Sequence, residues 1–113
     1  MVFDERSPLI DSALAGQLTG LFARLSRDVE LICIAGSDAK STEMGAFLKH
    51  LVSLNPRLAV RFLAPGEDAA MDAALDASLL PATGVGGPLP RMVFHGVPGG
   101  REITAFTAAI LNA

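Results

Sequence analysis

Apolar positions recur at helical spacing in four places along this chain and cluster into short dense runs between them. Leu14, Leu18, Leu21, Phe22 and Leu25 repeat every three or four positions, which predicts an amphipathic helix over roughly residues 8–26, with Gly16 and Gly20 weakening it. Residues 29–35 are short, apolar and rich in β-formers, the pattern of a strand buried on both faces. Met44, Phe47, Leu48, Leu51 and Val52 form a second helical stripe, which Asn55-Pro56 ends. Residues 58–63 alternate, with Leu58, Val60 and Phe62 on one face and Arg61 on the other, and read as a second strand. Strand, helix and strand with short joints form a βαβ unit with parallel strands.

The second half reads differently. Residues 67–78 predict an Ala-rich helix with Met71, Leu75 and Leu79 inward, and Asp68, Asp72 and Asp76 as a solvated outer stripe; Leu80-Pro81 breaks it. Residues 81–86 and 91–95 are two short extended pieces around Gly87-Pro88-Leu89-Pro90, which predicts an antiparallel hairpin. Val97-Pro98-Gly99-Gly100 marks another turn, and residues 102–111 a last helix with Ile103, Phe106 and Ile110 inward. The order α-β-α-β-α-β-β-α, a parallel βαβ followed by an antiparallel ββα, is the layout of a thioredoxin-like fold with an extra N-terminal helix. The expected form is one domain over residues 1–113, a three-layer α/β/α sandwich around a four-stranded mixed sheet. In that fold a cis proline faces the active-site turn, and Pro81 stands at its place; a trans proline that merely ends a helix is the alternative.

Composition narrows the functions open to such a domain. The 113 residues suit one modest core, half of them are apolar and 19% are charged, far from a disordered chain. A net charge of −3 without Trp or Tyr argues against a nucleic-acid binder. The charged start has no apolar signal core and no run is long enough to span a membrane, so a cytoplasmic protein with no membrane contact is expected. Cys33 is the single cysteine, which rules out an intrachain disulfide.

The candidate chemistry lies at the start of the βαβ helix. Val29-Glu30-Leu31-Ile32, then Ser37-Asp38-Ala39-Lys40-Ser41, then that helix, resemble the first of two thioredoxin-like units in the N-terminal domain of the alkyl hydroperoxide reductase flavoprotein subunit. The stretch from Gly96-Val97-Pro98 to Glu102-Ile103-Thr104 resembles the turn before its last helix. The resemblance covers roughly residues 18–111 and departs at residues 67–78, which are longer and more acidic. It implies a unit without a redox pair, the Cys-x-x-Cys residing in a second unit, and a surface like the one that packs the two units together, here available for a homodimer.

A dithiol reductase needs two thiols at this helix start, the first activated by the helix dipole and the second resolving the mixed disulfide. The matching positions are Ser37 and Lys40, and neither can do that work. Cys33 lies within the strand, four positions earlier, where a thiol is inert; a monothiol redox role for it is the alternative reading. Lys40-Ser41 after Gly36 resembles the end of a phosphate-binding loop, but Ala39 and Ile34 replace its two glycines. An anion held on the bare N–H groups beside Lys40 remains open, against Ser37 or Asp38 capping the helix itself. Gly84-Val85-Gly86-Gly87 leads into prolines and is no dinucleotide motif. His50, at a helix end, and His95, at a strand end, gather no further ligands, and the acidic stripe lacks calcium-loop spacing. No cofactor or metal is therefore expected. The functional expectation is a non-catalytic binding or scaffold module that takes a peptide or protein in a groove between Ser37, Asp38 and Lys40 on one side and Leu80 and Pro81 on the other.

Overall fold

The structure, a computed structural model, describes residues 9–85, 92–98 and 101–112. Its elements run α1 (Ser12–Phe22), β1 (Val29–Ile34), α2 (Ala39–Val52), β2 (Leu58–Leu63), α3 (Ala69–Leu75), β3 (Ala82–Val85), β4 (Met92–His95) and α4 (Arg101–Leu111). The strands form one sheet in the order β2-β1-β3-β4. β1 and β2 are parallel, from Val29 opposite Leu58 to Ile34 opposite Leu63, while β3 runs antiparallel to both β1 and β4. The expected glycine–proline turn and strand start at residues 86–91, and Gly99-Gly100, lie outside the described residues.

Alternation along β1 explains the layers. Leu31 and Cys33 face a core shared with Leu18 and Phe22 of α1, Phe47, Leu48 and Leu51 of α2, and Phe106 and Ile110 of α4. Ile32 and Ile34 point the other way, against Met71 and Leu75 of α3, with Leu63 and Ala82. Three helices thus cover one face of the mixed sheet and a single short helix covers part of the other. Phe106 centres the larger core, edge-on to Phe47 at 6.2 Å and to Phe94 at 4.9 Å between ring centroids. Glu30 breaks the burial of β1 and reaches Arg61 of β2 at 3.7 Å on the open part of the sheet.

Side-chain caps set the helix lengths. Asp11 caps α1 by accepting from the Leu14 N–H at 2.7 Å, so the helix begins several residues after the expected start. It stops at Phe22, where the Asn55 side-chain amide donates to the Phe22 carbonyl at 2.9 Å and ties α1 to the loop leaving α2. Lys49 and His50 lie in the last turn of α2, where positive charge suits the helix dipole. The acidic stripe is more than a solvated face. Asp68 caps α3, Asp72 accepts from the Gly66 N–H at 2.8 Å, and Asp76 ends the helix in a left-handed conformation at φ 53°. The Asp68 cap and the left-handed Asp76 confine the helix expected over residues 67–78 to seven residues.

Candidate functional site

β1 delivers the chain through Ala35 and Gly36 to the start of α2. Asp38 is the N-cap, with extended backbone and an exposed carboxylate. Its Oδ2 accepts from the Ser41 N–H at 3.2 Å, and its Oδ1 accepts from the Ser41 hydroxyl at 2.6 Å. Ser41, fully buried, uses the same hydroxyl to accept from the Gly36 N–H at 3.0 Å. The Ser41 hydroxyl and backbone N–H groups hold the Asp38 carboxyl below the usual range, against a smaller opposing effect of desolvation. Of the two capping residues the sequence offered, Asp38 does the work and Ser37 stays exposed.

The touching pair at Cys-x-x-Cys spacing is therefore Asp38 and Ser41, one position later than Ser37 and Lys40. A carboxylate and a hydroxyl carry no electrons between disulfides. They also fill the anion-binding end of the helix from within the chain, which removes the bare N–H site beside Lys40. In the sequence Ser41 stands out only beside Lys40 in the phosphate-loop likeness, although its place three residues after an Asp cap was the available signal for this contact.

The facing wall comes from the chain that enters β3. The Leu80–Pro81 peptide bond is cis. Pro81 is buried, and the Leu80 side chain packs toward the α2 turn: a Cβ on Gly36 would sit 3.5 Å from Leu80 Cδ1 and 3.2 Å from Asp38 Oδ1. The contact with Leu80 would be an ordinary one and only that with the Asp38 carboxylate tight, so glycine at 36 makes room for the Asp38 cap. Beside them opens a groove of about 610 Å³, with Lys40 and Glu43 of α2 on one wall and Leu79, Leu80, His95 and Gly96 on the other. Of the five residues expected to form it, Lys40 and Leu80 line the groove, while Ser37, Asp38 and Pro81 do not. Glu43, Leu79, His95 and Gly96 join it only through the tertiary fold.

Hydrogen bonds fix the far wall on both sides of Leu80. His95 Nδ1 lies 2.7 Å from the Leu79 carbonyl, and Gly96, at φ 97°, donates its N–H to the Pro81 carbonyl at 3.2 Å. The Leu79 N–H donates to the Asp76 carbonyl at 3.2 Å. Between them, the N–H and C=O of Leu80 have no hydrogen-bond partner among the described residues. Leu79 is 57% exposed, the most exposed large apolar side chain among the described residues.

Cys33 is fully buried in the middle of β1 and faces the larger core. Burial pushes its thiol up to about 11, and interaction with the Thr83 hydroxyl offsets part of that rise. Thr83 lies directly opposite on β3, fully buried, and its hydroxyl has no well-formed hydrogen bond of its own. Such a thiol is protonated and unreachable at neutral pH, so a monothiol role for it has no support. Among the described residues no three His, Cys, Asp or Glu side chains gather to hold a metal ion, and no helix is long and apolar enough to cross a membrane.

No family model and no curated protein matches the sequence. Solved structures do match. Alkylhydroperoxide reductase AhpF from Enterococcus faecalis superposes with a TM-score of 0.79 at 24% identity, over 92% of this chain and 52% of that one. The NTD_N/C domain of the same protein gives 0.77 at 24% identity, over 90% of this chain and 51% of that one. A protein disulfide oxidoreductase from Aeropyrum pernix gives 0.75 at 16% identity, over 98% of this chain and 48% of that one. The chain spans about half the length of the structures it matches, and at these identities the likeness is one of fold. The sheet order, its strand directions and these superpositions give this chain, which has one cysteine and no Cys-x-x-Cys pair, a thioredoxin-like α/β fold that resembles the N-terminal domain of alkylhydroperoxide reductase AhpF.

Proposed function

We propose that this chain is a non-catalytic binding module whose groove beside the α2 start takes an extended peptide segment of a protein partner. The observation that carries the reading is a Leu80 backbone with no hydrogen-bond partner among the described residues, between Leu79 and Pro81 carbonyls that are both taken, next to an exposed Leu79 side chain. A peptide lying antiparallel to Leu80 would satisfy both groups, as strand addition does at a sheet edge, and its apolar side chains would cover Leu79. The oxygen pair Asp38–Ser41 supports a role without catalysis, since the position next to the groove holds a cap in place of a nucleophile. Likeness to alkylhydroperoxide reductase AhpF supports a partner within thiol or peroxide metabolism. The module is taken to be cytoplasmic and able to form a homodimer, which light scattering at micromolar concentration tests; a clean monomer removes the dimer.

The groove is tested by adding a pooled library of capped decapeptides to isotopically labelled protein. The amide signals of Leu79, Leu80 and Lys40 are expected to move together for a subset of sequences. If no pool shifts Leu80 at millimolar peptide, or if all shifts fall on another face, peptide capture in this groove is wrong.

A further inference from the structure

The bonds that hold the groove's far wall come from one place, the end of β4. A carbonyl oxygen can only accept, so the contact between His95 Nδ1 and the Leu79 carbonyl at 2.7 Å requires the proton to be on Nδ1. That leaves Nε2 bare when the ring is neutral. The next residue, Gly96, donates to the Pro81 carbonyl at 3.2 Å. Its φ of 97° is a conformation that a side chain would oppose, so glycine there allows the N–H to turn inward. Ala82 pairs opposite His95, which brings the β4 end alongside the segment it grips. Two adjacent residues at the end of β4 thus occupy the acceptors before and after Leu80, so that within the stretch Leu79–Pro81 Leu80 is the residue with backbone to offer.

We propose that His95 is the positioning residue of this groove: through Nδ1 it holds the Leu79 carbonyl away from the ligand, so that a bound peptide pairs with Leu80 and not with Leu79. This rests on the peptide-binding reading above. It adds to that reading a register and a residue that sets it. With the Leu79 carbonyl released, the segment has a second acceptor facing the groove and loses the anchor that orders it before a ligand arrives. Preordering of this kind strengthens binding by lowering the entropy lost on association.

The test uses the whole chain, with His95→Ala and His95→Asn compared to wild type. Long-range nitrogen–proton correlations on the neutral ring are expected to show the Nδ1–H form of His95. In H95A the amide signals of Leu79 and Leu80 shift and the Leu79 amide, bonded to the Asp76 carbonyl, exchanges faster, while those of α1 and the middle of α2 stay in place. In H95N a side-chain N–H is available to the same carbonyl, and the signals return toward wild type. A decapeptide selected on wild type is expected to bind H95A about threefold to tenfold more weakly, the loss of one net hydrogen bond, and H95N within about twofold. A proton found on Nε2, or Leu79 and Leu80 signals unmoved in H95A, overturns the assignment. So does an H95A protein that binds the selected peptide as tightly as wild type. If no decapeptide binds wild type, the peptide reading fails by itself, and the ring proton and the H95A shifts still decide whether His95 positions this segment.

Discussion

Replacing Ser41 by Ala removes one oxygen from a buried position and should be costly for its size. The Ser41 hydroxyl is fully buried, donates to the Asp38 carboxylate at 2.6 Å and accepts from the Gly36 N–H at 3.0 Å. Alanine fits the space, so packing changes little. What remains is a part-buried Gly36 N–H with no partner and the loss of a bond to a charged acceptor. An orphaned donor costs about 1–3 kcal/mol, to which the bond to the solvent-exposed Asp38 carboxylate adds a smaller, screened increment. A loss of about 2 kcal/mol is expected for S41A. For a domain of this size that lowers Tm by roughly 10 °C and the urea midpoint by about 1 M at unchanged m-value. The pH dependence adds a second check. The folded-state pKa of Asp38 is depressed from 3.8, chiefly by the Ser41 hydroxyl. Its contribution is therefore present above about pH 3.8 and lost as the pH falls through the lower folded value. The gap between wild type and S41A should narrow in that acid window. A loss under about 0.5 kcal/mol, the size of an ordinary surface change, or a gap indifferent to acid, would refute the reasoning.

Three further outcomes follow from the same structure. Cys33 should not react with an aromatic disulfide reagent at neutral pH until the protein is denatured, when one thiol per chain appears. Because burial raises its pKa from 9.0 to about 11, wild type should lose stability between those two pH values as the unfolded thiol ionises first, by up to about 3 kcal/mol relative to C33A, which has no thiol to titrate. Phe106→Ala should cost about 3–5 kcal/mol in thermal or urea unfolding, because the ring is fully buried between Phe47 and Phe94; a cost near 1 kcal/mol would mean that the two ring contacts do not organise the core.

The order of elements was legible because each follows from a local period: the α2 stripe of Met44, Phe47, Leu48 and Leu51 is buried as its spacing requires. Boundaries were less legible because side chains decide them. Nothing in the spacing of the Ala-rich stretch shows that Asp68 would cap α3 and Asp76 would end it, so a stripe of surface charge and a set of stops look alike in sequence. Ser37 and Asp38 are both good caps, and only the bond from Asp38 to Ser41 separates them. The near wall of the groove, Lys40, could be read from the chain because it lies at a helix start. His95 and Gly96 could not, since they reach Leu79 and Pro81 only after β4 pairs with β3.

Thiol counting on two double variants tests most directly that Asp38 and Ser41 occupy the place of a redox pair. If the carboxylate and hydroxyl touch as the structure has them, D38C/S41C should close a disulfide on mild oxidation, leaving only buried Cys33 to be counted after denaturation, and should reduce insulin where wild type does not. S37C/K40C, built on the neighbouring positions, should remain largely unlinked. A D38C/S41C protein whose thiols stay free while S37C/K40C closes would contradict the account.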